Sequence, residues 1–353
     1  MKHEGHRIAP RRGPTQRVEA AWRRAALRLM GMDDTDQREK TEMIVSCGEA
    51  LIDFLPVKDA AGNDSYQPKV GGSPYNVALT AGRLGNHTGF LGGISTDFFG
   101  EMLVEELKRS LVSLKYVGFS ARPTTLAFVS LLHDEPQYAF FDENSAGRLH
   151  DPAAHEPIGD EVEAIHFGSI SLIPEPSVSR LAAVMDANRG KRVLCYDPNV
   201  RPTLIHDRDA FIANVETFAH GADIVKISGA DLEWLYPGVE AETVASGWLA
   251  AGTGLVVVTR GGNGVTAYTP SGSVFSPVIP VTIADTVGAG DSFTGGLLAR
   301  LSEKGHLTIE GVRNIDPVAL KDALDFANRV AAITCSRAGA NPPWRSELVE
   351  AEA

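Results

Sequence analysis

Short apolar runs rich in β-branched residues alternate with stretches of helical periodicity along the chain from Met43 onward. This alternation is typical of an α/β fold with a largely parallel sheet. The apolar runs have few polar interruptions, as expected of strands that are covered on both faces. They lie at 43–49, 87–94, 164–170, 192–198, 223–228 and 255–261. Helices are expected at 74–84, 98–110, 175–189, 208–220, 242–251 and 317–336.

Two segments, 51–70 and 125–143, break this pattern. Their apolar and polar residues alternate singly, as in antiparallel strands that have one solvated face. We therefore predict a small sheet inserted into the α/β body. Open α/β sheets bind ligands at the carboxyl ends of their strands, so a sheet near that edge would serve as a lid.

Charge is distributed unevenly along the 353 residues, whose formal net charge is −12. Residues 1–30 hold eight Lys or Arg and two acidic residues, so the remainder of the chain is strongly acidic. Such a body is a poor match for nucleic acid or an anionic membrane, and we expect neither as a partner. Residues 1–42 are expected to form a basic, disordered extension. A targeting arm, or translation begun upstream of the true start, are the alternatives.

Three cysteines, Cys47, Cys195 and Cys335, lie far apart in apolar stretches and form no CxxC motif. We expect buried free thiols, which indicate a reducing compartment and a cytoplasmic protein. No run of about 18 apolar residues is present that would span a membrane.

Residues 284–301, ADTVGAGDSFTGGLLARL, predict a strand end, a Gly-Ala-Gly turn and a helix start. The turn of Gly288, Ala289 and Gly290 would direct backbone N–H groups outward at the helix N-terminus, which forms an anion site. Asp291 would repel a phosphate there. We therefore interpret it as the group that accepts the proton of an attacking hydroxyl during phosphoryl transfer. A helix cap is its alternative role.

The segment DTVGAGDSF resembles the C-terminal signature of the PfkB or ribokinase-like carbohydrate kinases. GGSPYNVALTAGRLG at 71–85 is similar to their Gly-Gly segment, and the resemblance covers about residues 43–345. It implies a ribokinase-like three-layer α/β/α sandwich with a β-sheet lid, followed by a tail at 346–353. It also implies transfer of the γ-phosphate of ATP to a hydroxymethyl group of a monosaccharide, with Asp291 as catalytic base.

The resemblance also implies a sugar site. Asp53 in GEALIDF and Asn76 match positions that contact sugar hydroxyls, and Gly72 would let the backbone approach the ligand closely. Arg201 lies in YDPNVRP, which resembles a DPNxR segment of the fructokinase and 2-keto-3-deoxygluconate kinase branch. A loop aspartate and a surface arginine are the alternative interpretations of Asp53 and Arg201.

Nucleotide-binding residues implied by the resemblance are Lys226, Ser228, Thr259, Gly261, Gly264 and Asn328. In KISGADLEWL the chain has Ser228 and Asp231 where the family often carries Asn-x-x-Glu. Asp231 could hold Mg²⁺ through water, whereas Ser228 could be only a helix N-cap. The segment TRGGNG at 259–264 is either a nucleotide loop or an ordinary hairpin turn. Asp285 matches a position beside a monovalent cation, so K⁺ joins ATP and Mg²⁺ among the expected cofactors.

The motifs GEALIDF, DPNxR, KxSxxDLEWL and SRAGA favour the fructokinase branch, with fructose as the sugar. A 2-keto-3-deoxygluconate kinase, for which Arg148 could bind the substrate carboxylate, and a ribokinase are the alternatives. An alternative of another class is a non-catalytic sugar or nucleotide sensor. Because a lid of amphipathic strands leaves an apolar face and open edges, we expect a homodimer through the lids.

Overall fold

The computed structural model describes residues 42–130 and 137–350. The basic extension expected at 1–42 lies, apart from its last residue, outside the described residues. Helices cover both faces of one large sheet, and a second sheet of four strands forms beside it. The predicted three-layer α/β/α sandwich with a small β-sheet lid is therefore confirmed. No helix in the described part of the chain is both long and apolar enough to cross a membrane.

The strands are β1 (Met43–Cys47), β2 (Leu51–Lys58), β3 (Asp64–Gly71), β4 (Thr88–Ser95), β5 (Val112–Ser113), β6 (Val117–Ser120), β7 (Thr125–Ser130), β8 (Gln137–Phe141), β9 (Val162–Gly168), β10 (Val193–Asp197), β11 (Ile224–Ser228), β12 (Leu255–Thr259), β13 (Val265–Thr269) and β14 (Gly272–Ser276). The main sheet has the order β14-β13-β12-β11-β10-β9-β1-β4-β5, with β6 beside β4. Its pairs are parallel except for the hairpin edge of β12, β13 and β14. The carboxyl ends of the parallel strands therefore share one edge, where open α/β sheets bind ligands.

The helices are α1 (Ser73–Arg83), α2 (Phe98–Arg109), α3 (Ser177–Asn188), α4 (Arg208–Gly221), α5 (Gly229–Leu235), α6 (Ala241–Ala251), α7 (Ala289–Glu303), α8 (Ile309–Arg313), α9 (Pro317–Cys335) and α10 (Arg345–Glu350). Helices α3 to α6 pack on one face of the sheet, and α1, α7, α8 and α9 pack on the other. Asp316 caps α9 as its sequence predicts, since its carboxylate accepts the N–H groups of Val318 and Ala319. Both apolar faces of the sheet are thus covered.

The lid contains four strands in the order β3-β2-β7-β8. Its outer pairs are antiparallel, but the central pair of β2 and β7 is parallel, unlike the antiparallel pattern expected for these segments. The reason is topological, because the chain passes through α1, β4, α2, β5 and β6 before it returns to the lid. A parallel pair needs such a long connection.

Several elements extend the predicted set. The short strands β5 and β6 and the hairpin of β13 and β14 were not anticipated, because two to five residues carry little periodicity. Helix α10 lies where a tail was expected at 346–353. It brings Leu348 into an apolar cluster with Leu84 and Phe326, so packing of the domain continues beyond residue 345.

Candidate active site

The start of α7 builds the candidate anion site. Gly288 is the N-cap, with a φ of 74° that favours glycine. A Cβ there would also lie 2.5 Å from the Cβ of Ala340, so no side chain fits. Ala289 and Gly290 open the first helical turn, and N–H groups at a helix start have few intrahelical acceptors. The Ala289 N–H donates to the Thr286 carbonyl at 3.2 Å. This turn therefore has the geometry that binds anions.

The segment before the turn is not the strand end that the sequence predicted. The N–H groups of Ala284 and Asp285 donate instead to the carbonyl of Cys335 at the end of α9, at 2.9 and 3.2 Å. The Asp285 carboxylate accepts the N–H groups of Val287 at 3.0 Å and Gly339 at 2.8 Å. Asp285 thus ties the turn to the loop after α9. Its binding of a monovalent cation stays a prediction.

Asp291 lies in the first turn of α7 and is 8 % exposed. Its carboxylate does not cap its own helix but is bound by α1. Ser73 Oγ donates to Oδ1 at 2.7 Å, and Asn76 Nδ2 donates to Oδ2 at 2.8 Å. Burial raises the pKa of Asp291, while these two hydrogen bonds and the Lys226 ammonium oppose the rise. Asn76, which was expected to contact sugar, therefore also orients this carboxylate.

A buried ion pair lies beneath the turn. Lys226 Nζ on β11 is 2.7 Å from Asp197 Oδ2 on β10, and both side chains are almost fully buried. A Cβ on Gly290 would lie 3.1 Å from Lys226 Nζ, which places the ammonium against the anion site. Burial opposes the charge on Lys226, but Asp197, Asp291 and Asp231 together raise its pKa. Lys226 therefore stays charged and supplies a fixed positive charge at the site.

Asp53 on β2 and Arg201 after β10 lie close enough for their charges to interact. Burial raises the pKa of Asp53 to about 6, with Arg201 lowering it and Asp291 raising it. The guanidinium of Arg201 donates to the carbonyls of Asn199 and Val200, which holds it at the end of β10. A Cβ on Gly72 would lie 2.6 Å from a backbone carbonyl, so this position also requires glycine. The structure thus brings the four residues of the predicted sugar site to one edge of the sheet.

Ser228 is the N-cap of α5, and its Oγ accepts the N–H of Asp231 at 3.0 Å. This geometry matches the capping alternative for Ser228; nucleotide binding stays a prediction. Burial, followed by Asp197, raises the pKa of Asp231. In the described part of the chain, no group of three His, Cys, Asp or Glu side chains is arranged to hold a metal ion. One carboxylate beside an anion site fits a Mg²⁺ ion that is bound chiefly by phosphates and reached through water.

The segment 259–264 forms the turn between β12 and β13, so it is a hairpin connection at the ligand edge. Thr259 ends β12. Gly261 and Gly264 have positive φ, and a Cβ on Gly264 would lie 2.6 Å from a backbone carbonyl. Asn328 on α9 is buried, and its Nδ2 donates to Ser276 Oγ at 2.7 Å. The amide therefore fixes the start of the loop after β14. Contacts of these residues with a nucleotide stay predictions.

Sequence reasoning missed three residues of the site. Ser73 was overlooked because a serine in the first turn of a helix carries no signature of a contact with a distant carboxylate. Asp197 was noted only as part of the YDPNVRP motif. Its pairing with Lys226 is recognised only once β10 and β11 are known to be neighbours. Tyr138 on β8 lies on the same face of the lid as Asp53, because Asp53 pairs with Ala127 and Ala127 pairs with Phe140, two residues from Tyr138. Burial raises the pKa of Tyr138, Arg201 lowers it and Asp53 raises it.

An α/β sandwich with a lid, and an anion turn beside a buried carboxylate, define a small-molecule phosphotransferase. The model of the pfkB family carbohydrate kinases matches residues 41–347. The chain belongs to this family, which confirms the resemblance of the two motifs and the predicted class of enzyme, a phosphotransferase with an alcohol group as acceptor.

Relatives of the chain cover most of its length. It is similar to a fructokinase of Rhizobium leguminosarum bv. trifolii, with 42 % identity over 80 % of this chain and 87 % of the relative. A structure of Xylella fastidiosa fructokinase with bound ATP aligns with a TM-score of 0.79 and 25 % identity, covering 89 % of this chain and 99 % of that one. Fructokinase of Vibrio cholerae O395 with fructose, ADP and calcium ion aligns with a TM-score of 0.76 and 27 % identity, covering 88 % and 99 %.

Replacing Lys226 with Met should leave Asp197 buried and unpaired. We expect a loss of about 3–5 kcal/mol in the free energy of unfolding, the range for breaking a buried ion pair. Urea unfolding measures this loss. The double variant Lys226→Met/Asp197→Asn should recover part of it, because the unpaired charge is gone. A single variant as stable as the wild type would show that the pair does not hold β10 and β11 together.

Proposed function

We propose that the chain is an ATP-dependent fructokinase that transfers the γ-phosphate of ATP to a hydroxymethyl group of fructose. The observation that carries this proposal is the position of Asp291, held by Ser73 and Asn76 at the mouth of the anion turn. The identity of 42 % with a fructokinase over most of both chains supports the choice of sugar.

In this proposal the carboxylate of Asp291 accepts the proton of the attacking hydroxyl. Orientation is supplied by α1, because both of its donors contact the carboxylate and fix its plane. The N–H groups of Gly288 and Gly290 stabilise the charge of the transferring phosphoryl group, whereas the Ala289 N–H of the same turn donates to the Thr286 carbonyl. Lys226 adds a positive charge from below. Mg²⁺, held by the phosphates and by Asp231 through water, would neutralise phosphate charge when bound.

The sugar is bound by Asp53, Asn76, Arg201 and the backbone at Gly72. Asp53 accepts hydrogen bonds from sugar hydroxyls when it is ionised, which its pKa of about 6 permits at neutral pH. Tyr138 closes the site from the lid, because it shares the neighbourhood of Asp53 and Arg201. Lid closure would exclude water and so limit hydrolysis of ATP.

The nucleotide lies along the ends of β11 and β12. Thr259, Gly261 and Gly264 border it on one side, and Asn328 borders it near the loop after β14. Ser228 contributes from the start of α5. K⁺ would bind beside Asp285, whose carboxylate already orders the segment that leads to the anion turn.

The contacts of Arg148 argue against a 2-keto-3-deoxygluconate kinase. This arginine pairs with Asp142 at 3.3 Å and donates to the carbonyl of Glu175 at 3.1 Å. It is therefore engaged by Asp142 and Glu175 rather than free to bind a substrate carboxylate. A non-catalytic sensor would not need Asp291 to be oriented by two donors.

The lid also supports the proposal of a homodimer. One face of the lid carries Phe54 and Phe128, which stack at 4.5 Å between centroids, with Tyr66 and Phe141 packed edge-on against Phe128. Tyr66 is 48 % exposed and Phe141 is 61 % exposed. An aromatic face of this kind is suited to burial against a second copy. Free thiols at all three cysteines accord with a cytoplasmic location.

Replacing Asp291 with Asn should lower kcat for fructose by at least about a hundredfold, because the amide cannot accept the hydroxyl proton. ADP release with Mg-ATP measures this, using fructose, 2-keto-3-deoxygluconate, ribose, glucose and adenosine as acceptors. Fructose should give the highest kcat/KM. The exposed Asp186→Asn is the matched control and should leave turnover unchanged. A fully active Asp291→Asn variant would contradict the role of Asp291, and a higher kcat/KM for another acceptor would contradict the choice of fructose.

Light scattering should give the mass of a dimer for the wild type at assay concentrations. Phe141→Asp should give a monomer, because a charge would enter the aromatic interface. Val318→Asp, on α9 and 79 % exposed, is the matched control and should stay dimeric. A monomeric wild type would refute the lid interface.

A further inference from the structure

Glu49 is a buried carboxylate next to the site, in the GEALIDF segment after β1. It is 6 % exposed. One carboxylate oxygen accepts the N–H of Ser73 at 3.1 Å, and the other accepts the N–H of Ser171 at 3.2 Å. These two donors belong to different parts of the chain, the start of α1 and the turn after β9. The carboxylate therefore joins three segments at the ligand edge of the sheet.

An ionised carboxylate offers a strong acceptor on both oxygens to two N–H donors, whereas the hydroxyl oxygen of a protonated carboxyl is a weaker acceptor. A protonated carboxyl would turn an O–H donor toward one of them, and a buried donor without an acceptor is costly. Burial raises the pKa of Glu49 to about 7, while the hydrogen bonds from Ser171, Ser169 and Ser73 oppose the rise. Glu49 thus changes protonation near neutral pH.

Burial and hydrogen bonds, rather than a charged neighbour, are the main influences on this pKa. A titratable neighbour at the end of β1, two residues before Glu49, is Cys47, whose pKa is raised by burial and by the charges of Glu156 and Glu49. On α1, the nearest link to a titratable group is the Ser73 hydroxyl, which donates to Asp291. From the turn after β9, only serine donors reach Glu49.

The contacts of α1 connect Glu49 to the reacting group. Ser73 donates its backbone N–H to Glu49 and its hydroxyl to Asp291. Asn76, one turn further along, donates to the other oxygen of Asp291. Gly72 packs directly on the Glu49 carbonyl, so Glu49 contacts the helix start through its backbone as well as through its carboxylate. A loss of the Glu49 bond would therefore displace both donors to Asp291 together.

We propose that ionised Glu49 is a positioning residue for phosphoryl transfer, which fixes the start of α1 so that Ser73 and Asn76 hold Asp291 toward the acceptor hydroxyl. This inference rests on the proposed function, since it requires Asp291 to act on the sugar. Activity should increase as pH rises through about 7, because Glu49 is protonated below that value and ionised above it. Glu49 itself touches neither sugar nor phosphate in this proposal.

The test measures kcat and the KM for fructose between about pH 5.5 and 8.5 on the full chain with saturating Mg-ATP. Glu49→Gln should lower kcat at pH 8 by about tenfold or more, since small misplacements of a catalytic group cost up to about a hundredfold. The KM for fructose should change much less. The limb near pH 7 should disappear in this variant, whereas limbs that belong to Asp291 or to Asp53, whose pKa is about 6, would persist.

Glu105→Gln, an exposed glutamate on α2, is the matched control and should keep both kcat and the limb. Glu49→Asp keeps the charge but is too short to reach both N–H groups, so it should lose kcat and shift the limb. It carries the test alone if Glu49→Gln does not fold. Unchanged kcat and an unchanged limb in a folded Glu49 variant would overturn the proposal.

The same assay separates this proposal from the proposed function. If the wild type phosphorylates fructose and the Glu49 variants match it, only the role of Glu49 fails. If another sugar is the better acceptor, the choice of fructose fails, and the Glu49 profile is judged with that sugar. If the wild type phosphorylates no sugar, both proposals fail together.

Discussion

The two hydrogen bonds from α1 to Asp291 are the contacts on which the rest of the site depends. They join helices that lie about 215 residues apart in sequence, and each helix brings one substrate region with it. The start of α7 provides the anion turn, and the start of α1 borders the sugar residues. In the proposed function, the carboxylate that α1 orients serves the attacking hydroxyl, while the start of α7, the helix that carries this carboxylate, serves the phosphate.

Charge balance is the second constraint on this site. Asp291, Asp197 and Asp231 would repel one another and a nucleotide triphosphate if they stood alone. Lys226 offsets part of that repulsion because it pairs directly with Asp197 and lies against the anion turn. Glu49 is different, since serine N–H groups rather than a cation hold its charge. The site thus combines one fixed ion pair with carboxylates whose protonation depends on burial.

Much of the fold was predictable because periodicity and turn chemistry are local. The apolar runs located the parallel strands, and GAGD located a glycine turn at a helix start. What stayed hidden depends on contacts between distant segments. The bond from Ser73 to Asp291 depends on the packing of two helices, and the pairing of Asp197 with Lys226 and of β2 with β7 depends on strand order. The expected strand before Gly288 failed because its N–H groups bond to the end of α9. No local pattern reports such a partner.

The most direct measurement of the central claim is a crystal structure of the wild type with fructose and a non-hydrolysable ATP analogue. The account predicts an Asp291 carboxylate oxygen within about 2.6–3.2 Å of the accepting hydroxyl oxygen. The γ-phosphate should lie against the N–H groups at the start of α7, with the accepting hydroxyl between it and the Asp291 carboxylate. A fructose hydroxyl out of hydrogen-bond reach of Asp291, with another side chain in its place, would contradict the account.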